Sequence, residues 1–84
     1  MHNNIMEISP SPILVDRSLT GRMYDCQRKM FMLIVGRSEL GLWTDYYTAE
    51  DNGVAAPAKR VQELLKLGVQ LHRRKRGRFV EWCV

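Results

Sequence analysis

The strongest constraint on the fold of this chain is a helix with both ends marked, joined without a linker to a hairpin pattern. Pro57 suits a first helical turn, where its missing N–H has no bond to lose, and Gly68 suits the left-handed position just past a helix end. Between them, at about 100° per residue, Ala58, Val61, Leu64 and Leu65 gather on one side, and Lys59, Gln62, Glu63 and Lys66 on the other. The spacing predicts a helix over 57–67 with Leu65 in its buried stripe. Val69, Gln70, Leu71 and His72 then alternate apolar and polar, and Phe79 to Val84 have the aromatic and β-branched content of a second strand. The expected product is a hairpin over 69–84 whose charged turn and tip are Arg73-Arg74-Lys75-Arg76-Gly77-Arg78.

Upstream, the signals are weaker. Pro10 and Pro12 favour extended or irregular backbone, so 1–15 is predicted as a loose N-terminal arm ending in the extended piece Ile13, Leu14 and Val15. Asp16 or Ser18 can cap the next element, and from Met23 apolar residues recur at Cys26, Met30, Phe31, Leu33, Ile34 and Val35. The run 30–35 alone would suit a buried strand equally well. The methionines and the charged set Asp25, Arg28 and Lys29 favour a helix over 23–35, stopped by Gly36 and Arg37. Leu42, Trp43 and Thr44 read as a very short strand, and Thr44 as the N-cap of a helix over 45–51, with Asp45 near its positive end. Asn52-Gly53 ends that helix; its flanks do not alternate, which argues against a hairpin there. Trp43 and Trp82 are expected as a core pair clamping the sheet to the helices. Tyr46 and Tyr47 are adjacent and cannot share one helix face, so one of them should be exposed.

Charge divides the chain. Residues 52–84 carry eight cations against two acids, a net of +6, while 1–51 carry five cations against seven acids, a net of −2. Positive charge clustered at one end is the footprint of a polyanion binder, with nucleic acid the first candidate. At 84 residues and 45% hydrophobic content, one folded domain with a single modest core is expected, over 16–84.

Other classes find little support. Cys26 and Cys83 belong to no C-x-x-C or Cys/His cluster, so they read as reduced, partly buried apolar residues and no metal site is expected. The N-terminus lacks a basic n-region and is broken by prolines, and no apolar run approaches the ~20 residues that span a bilayer, which points to a cytoplasmic protein with no membrane partner. No catalytic triad or phosphate-binding glycine loop is present, and Asp45, Glu50 and Asp51 have no partner at a motif spacing. Neither enzymatic activity nor a cofactor is expected.

Three stretches together carry a family resemblance: the turn Asn52-Gly53-Val54-Ala55-Ala56-Pro57, the segment Val61-Gln62-Glu63-Leu64-Leu65-Lys66-Leu67-Gly68-Val69, and the basic residues from Arg73 to Val80. With the elements in this order, nearly all of 23–84 resembles a winged helix-turn-helix domain, an α+β fold of three helices and a C-terminal β-hairpin wing. It is similar to the small single-domain versions of phage and bacterial DNA-binding proteins. The resemblance implies a regulator or accessory factor that places helix 57–67 in the major groove of double-stranded DNA and its wing, 73–78, along the backbone.

On that reading Ala55, Lys59, Gln62, Glu63 and Lys66 face the groove, and the DNA-binding set is Lys59, Arg60, Gln62, Lys66, Arg73, Arg74, Lys75, Arg76 and Arg78. Gln62 has the geometry for a bidentate contact to adenine. Most of the charge lies on the wing, so affinity should come chiefly from phosphates, which position a protein without reading sequence. Small modules of this kind commonly pair across a two-fold site, and the apolar arm 1–15 is a candidate for making a homodimer. The alternative is an adaptor or inhibitor whose basic hairpin docks on an acidic protein surface, with tyrosines and methionines as adaptable contacts.

Overall fold

A computed structural model describes residues 17–84; the arm 1–15 and its expected role in pairing lie outside the described residues. A 3-10 turn at Arg17–Arg22 packs Leu19 against the core and leads into helix α1 (Asp25–Glu39). Strand β1 (Thr44–Asp45), helices α2 (Tyr46–Asp51) and α3 (Pro57–Lys66), and strands β2 (His72–Arg76) and β3 (Phe79–Cys83) come after it in the chain. The three strands form one antiparallel sheet in the order β1-β3-β2. The described chain is thus a small α+β domain.

In α1 the buried residues Gln27, Met30, Phe31, Ile34, Val35 and Ser38 recur at three- and four-residue spacing, which puts them on one face of a helix. Its start is fixed by Gln27, whose side chain accepts the Tyr24 N–H at 3.0 Å. The expected stop at Gly36 is not used, and α1 runs one further turn, to Glu39. Ser38 is buried there and accepts the Val84 N–H at 3.2 Å, so a tertiary contact outweighs the glycine's weak helix propensity. The end comes at Gly41, with φ +75°, where the N–H groups of Gly41 and Leu42 reach back to Ser38 O and Arg37 O, each at 2.9 Å. The same paired closure ends α2 at Gly53 and Val54, and α3 at Gly68 and Val69.

Two boundaries shift for related reasons. The short strand is Thr44–Asp45 rather than 42–44, because Thr44 pairs with Trp82 and is fully buried. The N-cap of α2 is therefore Asp45, not Thr44, and its carboxylate accepts the Thr48 N–H at 2.7 Å. Between α2 and α3, Ala56 takes a left-handed conformation at φ +49°, a region costly for a residue with a Cβ. Pro57 disfavours the right-handed helical alternative for the residue before it.

The core joins Met30, Phe31, Ile34 and Val35 of α1 to Val61 and Leu64 of α3, with Ala49, Val54, Val69, Trp82 and Val84 around them. Leu65 does not belong to it and is 44% exposed. The face that α3 turns inward is centred on Pro57, Val61 and Leu64, and Leu65, about 100° further round, falls past its edge. Trp82 is buried as expected, but Trp43 is only half-buried and its ring lies under the Arg74 guanidinium. Both Tyr46 and Tyr47 are exposed.

The hairpin differs from expectation in register. Arg76 pairs with Phe79, which leaves only Gly77-Arg78 as the turn, with Gly77 at φ +61°. Arg73, Arg74, Lys75 and Arg76 are strand residues, and Val69 and Leu71 are packed against the core on the approach to β2.

The packing sets two expectations for stability. Leu64→Ala should cost about 2 to 5 kcal/mol in urea unfolding and Leu65→Ala less than about 1 kcal/mol; equal costs would contradict the helix phase. Burial disfavours the Asp45 charge, but the Thr48 hydroxyl and N–H and the nearby Arg37 outweigh it and hold the carboxyl below its ordinary 3.8. A depressed carboxyl stabilises the fold above its unfolded value and loses that contribution as pH falls through the folded one. Asp45→Asn should therefore be less stable than the native chain by about 0.3 to 1 kcal/mol near neutrality, with the gap closing below about pH 4. A gap independent of pH would show that the Asp45 charge contributes nothing.

Candidate nucleic-acid interface

The exposed side of α3 carries Lys59, Gln62 and Lys66, with Leu65 beside Gln62 and Lys66 on the same side of the helix. Ala55, just before the helix, is also exposed. Glu63 and Arg60 are turned the other way. Glu63 accepts a hydrogen bond from Gln27 of α1 at 3.1 Å and lies 3.4 Å from Arg60 Nε, while Arg60 Nη1 donates to Cys26 Sγ at 2.6 Å. Both side chains are largely buried, so they tie α3 to α1 and Arg60 is withdrawn from the exposed set.

On the hairpin the cations divide similarly. The register sets Arg74 opposite Glu81, and Arg74 Nε donates to the Glu81 carboxylate at 2.8 Å while its guanidinium covers the Trp43 ring at 4.2 Å. Glu81 is only 12% exposed, so Arg74 neutralises a nearly buried acid and is held in place by it. Arg73, Lys75, Arg76 and Arg78 make no ion pair among the described residues, and the hairpin holds them at or near the surface. Strand alternation puts Arg73 and Lys75 on one face and Arg76 on the other, with Arg78 in the turn. Positive charge therefore surrounds the end of the hairpin instead of lining one side.

Of the nine residues expected at the interface, Lys59, Gln62 and Lys66 lie together on α3 and Arg73, Lys75, Arg76 and Arg78 on the hairpin, while Arg60 and Arg74 have internal partners. Residues 67–71 join the two groups. The partnership of Arg74 with Glu81 was accessible to sequence reasoning, since the two are equidistant from a two-residue turn at Gly77-Arg78.

The remaining reactive groups sit apart from this surface. Burial pushes the Cys83 thiol up, partly opposed by Arg74, so it stays a neutral thiol in the core. Cys26 is half-buried beside Arg60. Among the described residues no three His, Cys, Asp or Glu side chains are grouped to hold a metal ion, and no helix is long and apolar enough to cross a membrane. Comparison with protein-family models, with curated proteins and with solved structures finds no match for this chain.

Proposed function

We propose that this chain is a winged helix-turn-helix protein that binds double-stranded DNA, with α3 in the major groove and the β2–β3 hairpin as a wing on the phosphate backbone. The observation that carries the reading is the group of four hairpin cations, Arg73, Lys75, Arg76 and Arg78, without an ion-pair partner among the described residues. Four unneutralised charges, three on β2 and one in the adjoining turn, repel one another, and a polyanion relieves that repulsion while releasing its counterions. The element order α1-β1-α2-α3-β2-β3 with sheet order β1-β3-β2 supports it, since a two-residue strand after the first helix pairs with the returning arm of the hairpin and fixes the hairpin to the helices.

The division of labour is then physical. Arg73, Lys75, Arg76 and Arg78, with Lys59, meet phosphates and set affinity. Gln62 and Lys66, one turn apart on the exposed side of α3, are the residues that reach base edges, Gln62 toward adenine and Lys66 toward guanine. Arg74 acts indirectly by bracing the wing against Trp43 and Glu81. A role as a small transcription regulator or accessory factor, of the kind carried by phages, fits such a module.

Titration of a labelled duplex at several salt concentrations tests the reading. Affinity should fall linearly in log–log form as salt rises, and replacing both Arg76 and Arg78 by Ala should make the slope shallower by about 1 to 2 while leaving urea stability within about 0.5 kcal/mol. A slope unchanged in the folded double variant would remove the hairpin from the interface.

A further inference from the structure

One exposed feature is left over by duplex binding. Tyr46 and Tyr47 open α2, Phe79 opens β3, and the three rings form a continuous aromatic surface, with centroids 6.2 Å apart between the tyrosines and 5.6 Å between Tyr47 and Phe79. They are 39%, 61% and 42% exposed. Tyr47 and Phe79 meet edge to face, at 75°, so the ring that offers its edge keeps both flat faces clear of the other. Single exposed aromatics are ordinary, but a contiguous group marks a contact site.

The surroundings specify the occupant. Phe79 is next to Arg78 in the chain and lies directly across the strand pair from Arg76, so the aromatic surface is continuous with the cationic end of the hairpin. Of the nearby acids, Glu81 is paired with Arg74 and Asp45 accepts from Thr48. Glu50 and Asp51 of α2 are exposed one turn beyond the tyrosines and make no ion pair among the described residues, so a polyanion would reach the rings from the cationic end of the hairpin. Flat apolar faces beside arginines complement a polyanion that carries flat apolar rings. Double-stranded DNA does not offer them, since its bases are stacked and only their edges face the grooves. Unpaired nucleotides do, and each contributes a ring face and a phosphate together.

We infer that Tyr46, Tyr47 and Phe79 form a stacking platform for unpaired nucleobases, so that this protein prefers a duplex bordered by single-stranded DNA to an uninterrupted one. The inference rests on the proposed function for the duplex portion and adds a second class of site beside it.

The test uses the full chain and fluorescence anisotropy with four probes at one salt concentration: a blunt duplex, the same duplex with an overhang of about six thymidines at one end or the other, the same overhangs built from abasic sites, and oligo(dT) alone. A thymidine overhang should tighten binding about ten-fold or more relative to the blunt duplex, and an abasic overhang, which keeps the phosphates, should recover little of that gain. Tyr47→Ala with Phe79→Ala should erase the gain and leave blunt-duplex affinity within about two-fold, whereas Tyr47→Phe, which keeps the ring, should retain it. Equal affinity for blunt and overhung duplexes would overturn the platform and leave duplex binding standing. A full gain from the abasic overhang would overturn it as well, because phosphates alone would suffice. Binding to oligo(dT) and overhangs without binding to the blunt duplex would support the platform and overturn the proposed duplex interface. Binding to none of the probes would overturn both.

Discussion

The pairing of β3 with strands on both sides brings distant parts of the sequence into one frame, with Trp82 opposite Thr44 on one side and opposite Arg73 on the other. Its inner end is the part that packs. Trp82 and Val84 lie in the same buried cluster as the α1 residues Met30, Phe31 and Ile34, and the Val84 N–H is bonded to Ser38. At its outer end Phe79 is exposed, while Val80 still packs against the edge of the core. The hairpin is therefore anchored at its base and charged at its end, and removal of the β1 or α1 contacts would release it from the helices.

The helices are closed by one repeated device. Each of the three ends in a glycine at positive φ with an apolar residue after it, Leu42, Val54 or Val69, and each closure satisfies two carbonyls that would otherwise face water or the core. Val54 and Val69 are buried, so those two closures also hand the chain back to the hydrophobic cluster. Arg60 and Glu63 join α3 to α1 through Cys26 and Gln27. What remains outward on α3 is a narrow strip with Lys59, Gln62, Leu65 and Lys66, set by the packing of the opposite side.

Much of this architecture is legible in the residues alone. Pro57 and Gly68 bracket α3, Gly53 closes α2, and the aromatic and β-branched content of 79–84 gives the returning strand of the hairpin. Other features depend on contacts between distant residues. Gly36 and Gly41 are both plausible stops for α1, and the bond between Ser38 and Val84, remote in sequence, decides for the second. Leu65 satisfies the periodicity of an apolar stripe, but its burial depends on how far α1 reaches around α3. A run of four basic residues reads as a turn because like charges avoid a packed sheet, yet β2 is an edge strand, where cations are tolerated and discourage further pairing. The two internal partners, Cys26 for Arg60 and Glu81 for Arg74, subtract from the candidate interface in a way that residue type alone does not reveal.

The central proposal is that the outward strip of α3 and the end of the hairpin both meet nucleic acid while the outer side of α1 does not. A two-dimensional NMR titration of the isotope-labelled chain with a short duplex tests it residue by residue. The account predicts that the amides of Lys59, Gln62 and Lys66 and of Arg73, Lys75, Arg76 and Arg78 shift progressively and reverse on adding salt, while those of Arg28, Met32 and Gly36 stay in place. Shifts confined to α1, or a spectrum unchanged at saturating duplex, would contradict it.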